Sequence, residues 1–180
     1  MKLAIKLVTA LLPALALSLA LPAIASADTE EDASIEETPN LYLGAASGFA
    51  YAPLTYHIPV ALEAGLRAGS LPLFLRGKLV YGTDITEVGG SSIQGEIGAE
   101  YRGCFGTGTA CIVGGLDAGY AHSSWGGIFT YSSAIIDPRV GLDVGSRTFR
   151  VRLAGGPRAT IESEGLGLGF ISELAFHYYY

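Results

Sequence analysis

The chain has 180 residues with 11 basic and 17 acidic side chains, a formal charge of −6, and 49% of its residues are apolar against 16% charged. A chain of this length holds one domain, and its acidic balance excludes nucleic acid as a partner, because like charges repel along the phosphate backbone. Sparse charge together with 25 glycines suits a molecule with little surface in water.

Lys2 and Lys6 precede an apolar run from Leu7 to about Leu21, and Ala25-Ser26-Ala27 stands just before Asp28. Charged, apolar and small-residue regions in that order predict a secretory signal over 1–27. A retained transmembrane helix is the alternative, but Pro13 and Pro22 interrupt the run. No Cys follows it, so a lipid-anchored N-terminus is not expected. Residues 28–39 carry Asp28, Glu30, Glu31, Asp32, Glu36 and Glu37 and end at Pro39, too few apolar groups to join a core. They are expected to form a flexible periplasmic segment. Beyond the signal, no apolar stretch is long enough to cross a bilayer as a helix, so any crossing must use strands.

From Asn40 onward apolar and polar residues alternate between clusters of Gly, Pro, Ser and Asp, the period of strands rather than helices. Eight segments follow, at 40–51, 58–68, 72–82, 93–102, 112–121, 134–144, 147–155 and 166–180. Links after odd-numbered segments, such as 83–92 and 122–133, are expected to be long, whereas Gly69-Ser70 and Gly145-Ser146 mark tight turns. Long external loops and short periplasmic turns have this asymmetry. The link 103–111 is the exception, and it holds both cysteines, Cys104 and Cys111. In an exported protein a disulfide closing a local hairpin is expected there. Free thiols are the alternative, while a metal site lacks the nearby His or second Cys pair that it needs.

Neighbouring strand residues face opposite sides, so each segment divides into two phases. One is free of charge: it begins Leu41, Leu43, Ala45, Phe49, Tyr51, continues through Leu73, Leu75, Leu79, Tyr81, and closes on Leu174, Phe176, Tyr178, Tyr180. The other holds Glu63, Arg67, Arg76, Lys78, Glu96, Glu100, Arg102, Asp117, Asp137, Arg139, Asp143, Arg150, Arg152 and Glu173, seven acids and seven bases interspersed with glycine. A soluble ligand-carrying barrel turns the apolar phase inward. A membrane barrel does the reverse.

Three features favour the reverse. Tyr51, Tyr81 and Tyr120 close segments at the external side and Tyr101, Tyr178 and Tyr180 lie at the other, which builds two interfacial girdles. The charged phase is rich in glycine, as a narrow lumen demands and a wet surface does not. Finally, the last segment carries Phe176, Tyr178 and Tyr180 in phase with an aromatic at its end. With this parity, segment count and ending, residues 40–180 resemble the small outer-membrane barrels of the OmpA transmembrane-domain and OmpX type. The resemblance implies an all-β fold, an eight-stranded antiparallel up-and-down transmembrane β-barrel in the outer membrane of a Gram-negative envelope. It also implies a last strand read by the barrel-assembly machinery, contact with outer-membrane lipids and lipopolysaccharide, and a monomer. No peptidoglycan-binding domain is expected after Tyr180.

Unpaired charge in so narrow a lumen is strongly unfavourable, so Arg67, Arg76, Lys78, Arg139, Arg150 and Arg152 are expected to pair with Glu63, Glu96, Glu100, Asp117, Asp137, Asp143 and Glu173 and to plug it. The expected role is non-enzymatic, structural or surface-contacting, without cofactor or metal. A narrow channel or carrier of a small apolar compound is the alternative. A second alternative rests on His122-Ser123-Ser124, which looks like the His-x-Ser element of lipid A 3-O-deacylases, with His122 as base for Ser124. Against it, Trp125 stands where that family has Asn, and Asp137, the nearest carboxylate in the sixth segment, falls on the opposite phase. His57 reads as a loop residue, His177 as a lumen residue, and Trp125, Phe129 and Tyr131 as interfacial anchors. Gly165 to Gly169 precedes a strand, not a helix, so a phosphate loop is not expected.

Overall fold

The computed structural model describes residues 40–52, 55–85, 89–125, 129–163 and 165–180; the expected signal at 1–27 and acidic segment at 28–39 lie outside them. Eight strands account for nearly all of the described residues: β1 (Leu41–Ala52), β2 (Thr55–Arg67), β3 (Leu73–Asp84), β4 (Gly90–Phe105), β5 (Ala110–Trp125), β6 (Phe129–Gly145), β7 (Phe149–Glu162) and β8 (Gly165–Tyr179). Each pairs antiparallel with its sequence neighbour, and β1 meets β8 from Tyr42↔Tyr179 to Tyr51↔Phe170, so the sheet closes on itself. Closure removes both edges and leaves no row of unpaired backbone donors and acceptors. Asn40, Tyr180 and the links 68–72, 106–109 and 146–148 share one end of the barrel, the turn end; the other four links share the loop end.

The strands run further toward the loop end than the alternation predicts. β4 begins at Gly90, β5 ends at Trp125, β6 begins at Phe129 and β7 ends at Glu162. The expected long links 83–92 and 122–133 are therefore mostly paired strand, and only 126–128 separate β5 from β6. Serine, threonine, histidine and glycine in these stretches read as loop by composition, yet a ladder needs only their backbone, as in Thr83↔Ser91, Ser91↔Ser124 and Ser124↔Thr130. β2 likewise starts early, so His57 is a strand residue on the inner face and only 7% exposed, not a loop residue.

The cysteine-bearing link is also shorter than expected. β4 continues to Phe105 and β5 starts at Ala110, leaving a four-residue turn in which Gly106 and Gly108 take φ of +54° and +78°, a conformation glycine adopts without penalty. Cys104 and Cys111 stand directly opposite each other across the two strands and are joined by a disulfide.

The two phases separate cleanly. Leu62, Leu79 and Ile97 are 61–74% exposed on the outer face, whereas Asp143 and Arg152 are at most 1% exposed inside. Inward glycines make room for the inner side chains: a Cβ on Gly65 would lie 2.1 Å from the Tyr42 ring, and one on Gly98 would lie 2.0 Å from Asp117 Oδ1.

Because the disulfide clips the β4–β5 hairpin, replacing both Cys104 and Cys111 by Ser should lower stability by about 2–3 kcal/mol in urea unfolding from detergent micelles. Reductant should reproduce that loss in the unmodified protein and leave the double variant unchanged.

Candidate functional site

The inner face carries one continuous alternation of charge. Starting at the turn end, Arg150 meets Asp143, Asp143 meets Arg152, Arg152 meets Glu100 and Glu100 meets Arg76. The chain continues from Arg76 to Asp117, Arg139, Glu173, Lys78, Glu96, Arg158 and finally Asp137. Arg102 joins it at Glu100 and Asp143, and Glu63 bridges Arg76 to His177. Among the described residues, seven carboxylates thus face seven Arg and Lys side chains and His177, drawn from seven of the eight strands and all buried. Each bond is the stronger for the low dielectric around it, and each ion would be costly without its partner.

Geometry within the chain favours arginine. Arg76 donates from Nε to Asp117 Oδ1 at 2.9 Å and from Nη1 to Glu63 Oε2 at 3.2 Å and Glu100 Oε2 at 3.4 Å, using its planar fork on three carboxylates. Arg158 donates from Nε to Asp137 Oδ1 at 2.9 Å, from Nη1 to Gln94 Oε1 at 3.1 Å and from Nη2 to Glu96 Oε1 at 3.2 Å. Arg150 also reaches beyond the ladder. Besides Asp143 Oδ1 at 2.9 Å, it donates to the Gly108 carbonyl at 2.9 Å and so ties the β4–β5 turn to the lumen.

At the turn end the lumen closes on rings. Tyr42, Phe74 and Tyr179 form a buried cluster, with the Arg102 guanidinium 4.7 Å from the centroids of both Phe74 and Tyr179, close enough for cation–π attraction. Beside the ladder, the void next to Arg76, Glu100, Arg139 and Arg152 measures about 10 Å³, at the lower limit for a single water. Toward the loop end the inner residues become small, and a cavity of about 350 Å³ opens above Arg158.

The structure regroups several residues picked out by sequence. Arg67 is not in the lumen network: it sits at the last residue of β2, where its guanidinium bonds the Ser70 and Leu71 carbonyls of the following turn at 3.0 Å each. Arg158 and Arg102 are in the network, although neither was expected to be part of the pairing. Arg158 shares the parity of Arg150 and Arg152, but lies past the expected end of the seventh segment. Tyr42, Phe74 and Tyr179 also share the charged parity, and following that phase through its uncharged members would have found them. Of the expected girdle, Tyr51, Tyr81, Tyr120, Tyr178 and Tyr180 are exposed on the outer face and Tyr101 is half-buried. Tyr81 and Tyr120 do not close their strands, which run on to Asp84 and Trp125. Trp125 and Tyr131 are not outward anchors: Tyr131 lines the loop-end cavity and Trp125 packs edge-on against it at 6.4 Å.

The serine–histidine pair does not assemble as the catalytic alternative requires. His122 Nδ1 lies 3.0 Å from Ser132 Oγ, across the β5–β6 ladder, rather than against Ser124. Asp137 is engaged by Arg158 on the other side of the sheet.

No family model matches the sequence, and no curated protein matches it. Solved structures do match in fold. Neisserial surface protein A is similar at 13% identity over 83% of this chain and 100% of its own, with a TM-score of 0.63. The attachment invasion locus protein Ail of Yersinia pestis is similar at 11% identity over 77% of this chain and 97% of its own, with a TM-score of 0.50. The chain therefore has the closed eight-stranded architecture of small outer-membrane barrels.

Arg152 bridges Glu100 and Asp143 with essentially no exposure. Arg152→Met should cost about 3–5 kcal/mol, the penalty for buried carboxylates that lose a partner. Arg67→Met, at the exposed turn, should cost about 1 kcal/mol or less. Parallel urea titrations of the two variants check the contrast.

Proposed function

We propose that the chain is an exported, monomeric outer-membrane barrel with a structural or surface-contacting role, and that its lumen is closed to solutes by the ion-pair ladder. The observation that carries this reading is the inversion of the two phases, with an outer belt of leucines such as Leu62, Leu79 and Leu153 and every member of the ladder inside. An apolar belt of this extent on a water-soluble monomer would be an aggregation surface; in hydrocarbon it is the required one. Along β3 the outward residues from Leu73 to Tyr81 span about 27 Å of strand, which a tilt near 40° reduces to roughly 20 Å, close to the height of a bilayer-facing band. Above it the outward residues turn to hydroxyls in register, Thr83, Ser91, Ser124 and Thr130, as expected where hydrocarbon gives way to headgroups. Lipopolysaccharide and outer-leaflet lipids are the partners this surface fits, and β8, with Phe176, Tyr178 and Tyr180, is the element the assembly machinery would engage. Nucleic acid is not a partner.

The closed-lumen reading is supported by the ladder and by the lack of space beside it. Ions entering from the loop end would meet Arg158, Asp137 and Glu96 already bonded to one another. The non-enzymatic reading is supported by His122 bonding Ser132 and by the ladder's carboxylates lying on the opposite face of the sheet.

Two measurements test these readings. Leu79→Arg, in mid-belt, should lower stability in lipid vesicles by about 2–4 kcal/mol, while Thr83→Arg, further along the same outer face, should cost no more than about 1 kcal/mol; equal effects would place the belt in water. In planar bilayers the protein should give no large, steady single-channel current, and sustained conductance would rule out a closed lumen.

A further inference from the structure

The lumen is not filled along its whole length. Above Arg158 the inward residues of β1, β4, β5 and β6 shrink to Ala50, Ser92, Ala121, Ser123 and Ser133, and the space they leave is the cavity of about 350 Å³. This is roughly the volume share of a dozen waters, and it lies within the range of small-molecule sites. Its floor is Arg158, held by Asp137, Gln94 and Glu96. It opens toward the loop end and is closed below, so it is a pocket and not a passage.

The lining selects a chemical class. Ser123 and Ser133 are 5% and 4% exposed, sit on the cavity wall, and their hydroxyls have no hydrogen-bond partner among the described residues. Both hydroxyls reach the open space of the cavity rather than the protein, where a ligand or water can bond them. Ser92 Oγ accepts from Gln94 Nε2 at 3.3 Å and keeps its own proton to donate, and His57 and Thr160 add polar groups to the wall. The one guanidinium on the lining is committed to two carboxylates and an amide, and Glu162 stands at the same wall. Among the described residues an anion finds no uncommitted cation there. Tyr131 lines the cavity and Trp125 packs edge-on behind it, which holds one aromatic face on the wall. Several dispersed hydroxyls, no uncommitted cation and an aromatic platform together match a ring that carries many hydroxyl groups and an apolar C–H face.

We infer that the loop end of the lumen binds a neutral, hydroxyl-rich ligand of one or two sugar rings, with Ser123 and Ser133 hydrogen-bonding its hydroxyls. The site goes beyond a structural role and requires only the barrel fold, not its placement in a membrane. Such a ring reaches the pocket either as a free sugar or as the end of a glycan chain.

Trp125 is the single tryptophan of the chain and packs against Tyr131 of the cavity wall, so its fluorescence follows occupancy through that contact. Purified protein in lipid nanodiscs, with folding verified by heat-modifiable migration, is titrated with glucose, galactose, maltose and lactose, with glucose 6-phosphate as the charged probe and dextran as the chain. At least one neutral sugar should give a saturable change, with glucose 6-phosphate at least tenfold weaker. Ser123→Ala and Ser133→Ala should each weaken binding roughly fivefold, the loss of one hydrogen bond, and Ser133→Phe should abolish it by filling the cavity. Should Ser133→Phe fail the folding check, Ser123→Leu takes its place. Response to free sugar alone assigns small solutes, and response to dextran as well assigns chain ends. No saturation by any neutral sugar, tighter binding of glucose 6-phosphate, or a filled-cavity variant that binds like the unmodified protein would each overturn the inference. Failure here leaves conductance and vesicle stability unaffected, so the two readings fall separately.

Discussion

Eight strands enclose a space so narrow that a charged side chain inside it cannot keep its own water, and each must find an opposite charge instead. The ladder from Arg150 to Asp137 is how this barrel meets that demand. Most of its carboxylates touch two or more bases, so the ladder cannot be shortened at one point without stranding an ion elsewhere. Arginine suits such a ladder because its fork reaches several acceptors at once, as Arg76 does with Asp117, Glu63 and Glu100. Glycine is the other half of the arrangement: beside Asp117 and Tyr42, even one methyl group at Gly98 or Gly65 would collide.

The ladder also explains why the two ends of the lumen differ. At the turn end it is backed by Tyr42, Phe74 and Tyr179, whose rings fill the width and hold Arg102 between them. At the loop end it stops at Arg158 and Asp137, and the small residues beyond leave the barrel hollow. A barrel that served only as a rigid anchor could be filled there as it is below. The change from packed to hollow, with polar groups turned to the empty part, is what makes the loop end the chemically interesting region of the molecule.

Parity carried most of the fold. Charge confined to one phase, most tyrosines on the other and a balance of seven acids and seven bases point to a closed sheet with an ionic interior, and two cysteines in one hairpin mark the disulfide. The strand ends were harder to read. Ser91, His122, Ser124 and Thr130 have the composition of loops, but the neighbouring strands already stand beside them in register, and backbone pairing extends as far as partners last. That extension brought Arg158 into the ladder and turned Trp125 and Tyr131 inward, while the nearby turn carbonyls drew Arg67 out of it.

The sequence by itself determined which residues share a face, because alternation is a property of the strand alone and needs no partner. Which acid meets which base was decided only by the tertiary structure. Arg76 finds Asp117 from 41 positions away and Lys78 finds Glu173 from 95. Those encounters depend on strand register, on the tilt imposed by closure and on the reach of each side chain across the lumen, quantities that exist only once the first and last strands have joined.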